Sequence, residues 1–444
     1  SYWEIEYVNT PSGYPYLGLA TDVDITNGST WYSGTNRIFF IQSSGNVNNF
    51  ADNTTTNANA SAGDIRSFAY DNDTRQIQFR LNNGTAFTRT LPTSYTGDVV
   101  PMMADALSKG ARVNFGNRNF RYTPPSGYKS LAFNNLPEPT IKNGKDHFEA
   151  ITFTGNATQR NITGLEFQPD LVFSKNTATG TSFWNWHDSV RGATKRIKSN
   201  SPNAETDDTG YLNAFTSDGF SVGTEGAING NGNKIVAYCF KAGGTASSNS
   251  DGSLTSSVSA NTTAGFSIVS YTGDNSSSQT IGHGLNSAPE MMIVKNRIDD
   301  VHWIVYHKDM SSDPENRYLK LDENEASAAA GNSAAGMWAN TNPTNSVFSV
   351  GTGYGNTNGN SDGMIAYCWH SVEGFSKIGA WTGNASTDGQ FVYCGFKPQF
   401  LLFKNAGGTS YWQIRDAARD TNNPVGNEIY PATTESENTH SSTR

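Results

Sequence analysis

Short apolar runs separated by clusters of Gly, Asn, Asp, Ser and Thr extend along the whole chain. Tyr2-Trp3-Glu4-Ile5-Glu6-Tyr7-Val8 alternates large apolar with acidic residues, the pattern of a half-buried strand. Tyr16-Leu17-Gly18-Leu19-Ala20 reads as a short buried strand whose central glycine admits a facing sheet. Ile65 to Asp71 and Arg75 to Phe79 flank Asn72-Asp73-Thr74, which predicts a hairpin with an Asx-rich turn. A further strand is expected at Val113-Asn114-Phe115-Gly116. Tyr122-Thr123-Pro124-Pro125-Ser126-Gly127-Tyr128 must run extended, because a residue before proline avoids the helical region.

From about residue 148 the pattern repeats itself. Thr154-Gly155-Asn156 recurs as Thr272-Gly273-Asp274 and as Thr382-Gly383-Asn384. A proline-led strand ending in Lys-Asn follows each time, at Pro169 to Asn176, Pro289 to Asn296 and Pro398 to Asn405. A tryptophan strand comes next, at Phe183-Trp184-Asn185-Trp186, His302-Trp303-Ile304-Val305-Tyr306 and Tyr411-Trp412-Gln413-Ile414, and runs into Asp188, Asp309 or Asp416. Copies one and two close with Gly219-Phe220-Ser221-Val222-Gly223 and Ile235 to Cys239, matched by Val347-Phe348-Ser349-Val350-Gly351 and Ile365 to Cys368. The third copy shows no such closing strands before Arg444. A spacing of about 110–120 residues lies far above solenoid periods, so each copy is expected to be a globular domain with its own core. Gly243-Gly244-Thr245-Ala246-Ser247-Ser248-Asn249-Ser250 reads as a flexible joint between copies one and two.

Composition supports the β reading. The 444 residues include 44 Gly and 48 Asn, and only 16% are charged, against the Ala/Glu/Lys/Leu/Arg usage of long helices. Aromatics reach 12%, enough to build cores and unlike a disordered chain. A net charge of −9 with no basic cluster argues against a nucleic-acid partner. No apolar run approaches the roughly 18 residues of a membrane span, which argues against membrane insertion. Cys239, Cys368 and Cys394 lie in apolar strand-like runs without metal-ligand spacing and are expected to be buried free thiols.

The first 137 residues, through Tyr-Trp-Glu-Ile, Gly-Leu-Ala, Phe-Ala-Tyr-Asp, Val-Asn-Phe-Gly and Tyr-Thr-Pro-Pro-Ser-Gly-Tyr in that order, resemble a SPRY domain, a concanavalin-like β-sandwich. Asn134-Asn135-Leu136-Pro137 is similar to the version found in bacteriophage virion proteins. The family has a strand or more ahead of its Trp-Glu motif, and that portion is absent here. Asp188-Ser189-Val190-Arg191-Gly192, Ser217-Asp218-Gly219-Phe220, the string from Ser259 to Gly273 and Gly282-His283-Gly284-Leu285 resemble a repeat of tail-fibre-like and other structural phage proteins. The resemblance implies a virion component, homotrimeric as fibres commonly are, with other tail proteins and a host cell-surface glycan or protein as partners.

Candidate chemistry is sparse. His187 and Asp188 are neighbours on a strand and so face opposite ways, as do His302 and His307 if the strand is regular. A metal site of His302, His307 and Asp309 is therefore not favoured, and neither metal, cofactor nor catalytic residue is assigned. The recurring acidic residue is read as capping a turn. Asp71-Asn72-Asp73 and Asp322-Glu323-Asn324-Glu325 lack EF-hand spacing and read as solvated turns. Forty Asp and Glu residues offer no distinguished pair for glycoside hydrolysis. Contact surfaces are expected on two long loops. One, from Lys195 to Tyr211, offers Lys195, Arg196, Asn203 and Tyr211; the other, from Asp322 to Thr344, offers Asn324, Met337, Trp338 and Asn340.

The expectation is thus an all-β chain of tandem, jelly-roll-like β-sandwich domains. Residues 1–137 form a SPRY-like domain lacking its start, followed by sandwich repeats at 148–243, 262–372 and 373–444, the last lacking its end. The expected role is a non-enzymatic tail fibre on the virion that helps recognise the host. The alternatives are a purely structural head or tail protein and a polysaccharide-degrading tail enzyme.

Overall fold

A computed structural model describes residues 1–8, 16–21, 37–42, 46–49, 52–55, 60–91, 99–104, 110–131, 139–330, 335–386, 389–422 and 425–439. The fold is all-β, with multiple antiparallel sheets and a single one-turn α-helix, Gly226–Asn229, among the described residues. The chain divides into two compact units, Ser1–Glu138 and Pro139–Arg444.

In the first unit two five-stranded antiparallel sheets enclose one apolar cluster. The strand Tyr2–Tyr7 lies between Ala111–Asn114 and Ile65–Asp71, while Tyr16–Thr21 lies between Arg37–Gln42 and Val99–Ala104. Trp3 and Ile5 from one sheet pack with Leu17 and Leu19 from the other, and Trp3 stacks on Phe68 at 5.3 Å. The hairpin Ile65–Asp71/Gln76–Leu81 forms as expected. Asp71 Oδ1 accepts the Asp73 amide at 3.0 Å, and Oδ2 accepts the Thr74 hydroxyl at 2.8 Å. The first strand is not half-exposed, because Tyr2 through Ile5 are all buried. Glu4 is tolerated there since its carboxylate accepts the amides of Arg121 and Tyr122, each at 2.8 Å, which meets the cost of desolvating a charge. Asn134 to Pro137 lie outside the described residues.

In the second unit, repeat 1 faces a four-stranded sheet with a three-stranded one. The order is Phe148–Thr154, Lys234–Phe240, Leu171–Asn176, Asn185–Asp188 in the first, and Arg160–Thr163, Gly219–Val222, Leu212–Thr216 in the second. Repeat 2 extends the equivalent sheet to eight strands and covers it with the pair Gln279–Gly282/Val347–Val350. Repeat 3 contributes the hairpin Phe400–Phe403/Gln413–Asp416 and the pair Asn427–Glu428/Asn438–Thr439.

The period-two alternation of each closing strand decides which core a side chain enters. In Lys234–Phe240, Ala237 and Cys239 point into a cluster confined to repeat 1. Val236 and Tyr238 point the other way, into a cluster built from all three repeats. Gly363–Trp369 divides likewise: Met364, Ala366 and Cys368 belong to repeat 2's own cluster, Ile365 and Tyr367 to the shared one. Repeats 1 and 2 therefore have a private core and a common core at once. The segment expected to be a flexible joint is built into this arrangement. Ser247–Asn249 is the edge strand of the eight-stranded sheet, and a Cβ on Gly243 would lie 2.6 Å from the Ala260 carbonyl oxygen. Cys239 and Cys368 are buried free thiols, whereas Cys394 is outside any strand and partly exposed.

Candidate functional site

The repeats are joined by the same contacts in cyclic order. Trp303 of repeat 2 donates its indole N–H to the carbonyl of Lys198 in repeat 1 at 2.9 Å. Trp412 of repeat 3 donates to Lys320 in repeat 2, and Trp184 of repeat 1 donates to Tyr430 in repeat 3, both at 2.8 Å. The three acceptors are equivalent, each following the residue that pairs with the second position of the tryptophan strand: Ile197 with Trp186, Leu319 with Val305, Ile429 with Ile414. A backbone lock runs the opposite way round, with the Glu205 amide donating to the Arg297 carbonyl, Ser327 to Ala406 and Glu437 to Thr177. Buried indole N–H groups require an acceptor, and here each is met by a neighbouring repeat.

A second contact carries buried charge. Asp188 accepts the Arg191 Nε–H and the Tyr367 hydroxyl, the latter at 2.7 Å, while Arg191 also reaches Glu205 at 3.0 Å and the Trp186 carbonyl at 3.1 Å. Repeat 3 copies the constellation. Asp416 accepts the Arg419 guanidinium and, at 2.6 Å, the Tyr238 hydroxyl of repeat 1, while Arg419 reaches Glu437 at 3.1 Å. Both Asp–Arg pairs are fully buried. Burial opposes the Arg191 charge, but Asp188, Tyr367 and Glu205 outweigh it and hold its pKa above the ordinary value. Burial, with Asp188 or Asp416 adding to it, holds Tyr367 and Tyr238 far above the usual phenol range. These phenols stay protonated donors, and their hydrogen bonds tie one repeat to the next.

In repeat 2 the equivalent position is His307 rather than Asp309. Strand register places His307 opposite Met291 as Asp188 lies opposite Leu171 and Asp416 opposite Phe400. His307 Nδ1 accepts the Asp309 amide at 3.1 Å, as Asp188 accepts that of Val190. The expected recurrence of an acidic cap thus holds for repeats 1 and 3, and in repeat 2 an imidazole kept neutral by burial does the same work. Met310 stands at the place of Arg191 and Arg419.

The expected contact residues fall into two groups. Met337 and Trp338 are 4% and 1% exposed and belong to repeat 2's core, with the Trp338 indole bonded to the Arg317 carbonyl at 2.8 Å. They anchor their loop inward and are not contact residues. Arg196 is also buried, its guanidinium 3.7 Å over the Tyr211 ring. Lys195 pairs with Asp207 at 2.7 Å at the surface, Asn203 and Asn340 are exposed, and Asn324 lends its carbonyl to the Ser410 amide of repeat 3. The structure does not gather these eight into one patch.

His302, expected to face away from His307, meets Asp322 at 2.9 Å, with Glu323 at 4.0 Å. The three groups could hold a cation between them. Asp322 already accepts the Trp303 amide at 3.2 Å, the role Asn200 plays for Trp184 at 3.0 Å. The shared function of that position is therefore to cap the tryptophan strand, and the hydrogen bond that His302 donates to the Asp322 carboxylate raises the His302 pKa. Counting on from Lys198 and Lys320 aligns Asn200 with Asp322, the one sequence signal that pointed to this pairing.

No curated protein matches the chain in sequence. A family model described as a domain of unknown function (DUF7483) matches residues 143–444, the span of the three interlocked repeats, and the chain belongs to that family.

Proposed function

We propose that the chain is a non-enzymatic bacteriophage virion component, a tail fibre that contributes to recognition of the host surface. The phage setting is supported by the likeness of its repeat strings to those of tail-fibre-like proteins. The observation that carries the mechanical part is the closed set of Trp184, Trp303 and Trp412 locks, which makes one body of three repeats. A scaffold of this kind suits display of surface loops, and weak contacts repeated across copies in a homotrimer would add through effective concentration. Receptor contact is assigned to accessible positions: Asn203, Asn340, the half-exposed Lys195 on a two-residue strand, and the tyrosine at 354, whose ring is 89% exposed. A recess in the described part of the first unit, beside Tyr2 and Arg80, has room for little more than a water molecule.

A purely structural head or tail protein is the second reading, favoured by the burial of Arg196, Met337 and Trp338. Two measurements separate them. Gold-labelled antibody against the chain should decorate the tails of intact phage particles; particles with no label would sink the virion assignment. Purified chain should bind host cells or their surface polysaccharide saturably, and binding that is absent at micromolar concentration would leave the structural reading. Release of reducing ends from that polysaccharide would instead establish an enzyme.

A further inference from the structure

Repeats 1 and 2 each insert a closing strand between their first strand and their proline-led strand. Lys234–Phe240 pairs with both Phe148–Thr154 and Leu171–Asn176, and Gly363–Trp369 pairs with both Phe266–Thr272 and Met291–Asn296. In repeat 3 the proline-led strand Phe400–Phe403 pairs on one side with Gln413–Asp416, and no described strand lies along its other edge. The segment before it, equivalent to the first strands, forms no strand from 377 to 386. Apolar residues show the consequence. Leu401 is 43% exposed where Val172 and Met292 are 0% and 1%, and Trp381, Phe391 and Tyr393 are 47%, 82% and 76% exposed. An unpaired edge beside exposed aromatic residues is a template for strand addition.

The geometry points to a strand-docking slot at the free edge of Phe400–Phe403, whose occupant is an antiparallel strand of the closing type found in repeats 1 and 2. Its chemistry is set by the two filled slots. Both strands carry Ala-Tyr-Cys followed by a large aromatic, with the tyrosine facing the shared core. Leu171 lies opposite Phe240 and Phe173 opposite Tyr238; Met291 lies opposite Trp369 and Ile293 opposite Tyr367. The same register sets Phe400 against the terminal aromatic and Leu402 against the tyrosine. The slot also continues the ring of inter-repeat contacts. Tyr367 of repeat 2 reaches Asp188 of repeat 1, and Tyr238 of repeat 1 reaches Asp416 of repeat 3. A tyrosine supplied to repeat 3 would complete the cycle at repeat 2, where His307 and Met310 stand in place of the Asp–Arg pair. Backbone pairing supplies affinity, and the tyrosine and aromatic supply specificity. This inference stands apart from the proposed role on the virion.

The test uses the intact chain and a fluorescent peptide with the sequence of residues 234–240, with Cys239→Ser to prevent oxidation. Saturable binding is expected, together with a rise in the melting temperature of the 139–444 unit. Peptides carrying Tyr238→Ser or Val236→Pro should bind at least about tenfold more weakly, because one loses the inward ring and the other a ladder hydrogen bond. Varying the peptide leaves the protein's folding untouched. No saturable binding up to about 100 µM, or equal binding by all three peptides, would overturn the inference. Self-association of the chain that the peptide fails to compete away would overturn it too, by showing that a second copy fills the edge.

Discussion

The hydroxyl of Tyr367 lies 2.7 Å from Asp188 Oδ2, across 179 residues of sequence and the boundary between two repeats. Tyr238 and Asp416 repeat the relationship at 2.6 Å between repeats 1 and 3. In each, the tyrosine is the inward residue of one repeat's closing strand, and the aspartate is held by an arginine three positions on. Tyr367→Phe should destabilise the second unit by about 1–3 kcal/mol, the cost of leaving a buried acceptor one partner short. Arg191→Met should cost more, about 3–5 kcal/mol, because it strands the Asp188 charge. Urea unfolding of the two single variants and the double variant checks both, and should give a non-additive sum. Independent additive effects would show that the tyrosine and arginine do not act on one buried carboxylate.

Acid should weaken the second unit well above the usual carboxylate range. Burial depresses the His187 pKa to about 3 and the His283 pKa to about 4, from an ordinary value near 6.5. Between those values the unfolded chain binds protons that the folded one refuses, so stability falls as pH falls. The contribution is fully present above pH 6.5 and drains away toward pH 4 for His283 and pH 3 for His187, by up to a few kcal/mol for each imidazole. His302 acts in the opposite sense, since its pKa is raised by Asp322. His187→Gln with His283→Gln should flatten the melting temperature between pH 6.5 and 4.5. An unchanged slope in that variant would place the acid sensitivity elsewhere.

Much of this architecture was visible as pattern. The hairpin at Asp71 to Thr74, the three proline-led strands and the closing strands follow from period-two alternation and turn chemistry, both local properties. What escaped was whatever depends on how copies meet. Tyr238 and Tyr367 read as ordinary core residues of their own copies, and alternation alone does not say that two faces of one strand serve two cores. Arg191 and Arg419 recur at the same place, but only three-dimensional packing shows that each is buried on a neighbour's tyrosine. Asp309 was aligned with Asp188 by residue type, whereas the strand ladder assigns that place to His307. Met337 and Trp338 lie on a long loop, where contact surfaces are expected, yet large apolar side chains in a long loop are as often the pins that hold it down.

Two glycines should prove irreplaceable for the same reason. A Cβ on Gly155 would fall 2.2 Å from the Gly230 carbonyl oxygen, and one on Gly273 would fall 2.3 Å from that of Gly359. In both repeats the obstacle is backbone, held by a buried asparagine: Asn229 bonds the Asn156 amide and Asn358 the Asp274 amide. Gly155→Ala and Gly273→Ala should each cost about 1–3 kcal/mol by forcing the two segments apart. Gly226→Ala, where nothing lies within 4 Å of the added carbon, is the matched control and should be near neutral. Equal melting temperatures for all three variants would contradict the close approach.

Tyr354 separates display from architecture. It sits between Gly353 and Gly355 with φ near +53°, in the left-handed region that a tyrosine adopts only at a cost, and its ring is 89% exposed. The turn is held without the ring, by the Gly353 amide on the Ala335 carbonyl at 3.1 Å and by Asn296 on the Gly355 carbonyl at 2.9 Å. Tyr354→Gly should therefore leave stability unchanged or raise it by up to about 1 kcal/mol, since glycine relieves the backbone strain. If the exposed ring contacts a host glycan or protein, the same substitution should weaken cell binding at least about tenfold, the loss of one aromatic anchor. The two readouts move independently, so a stable variant with full binding would remove Tyr354 from the contact surface while leaving the fold account intact.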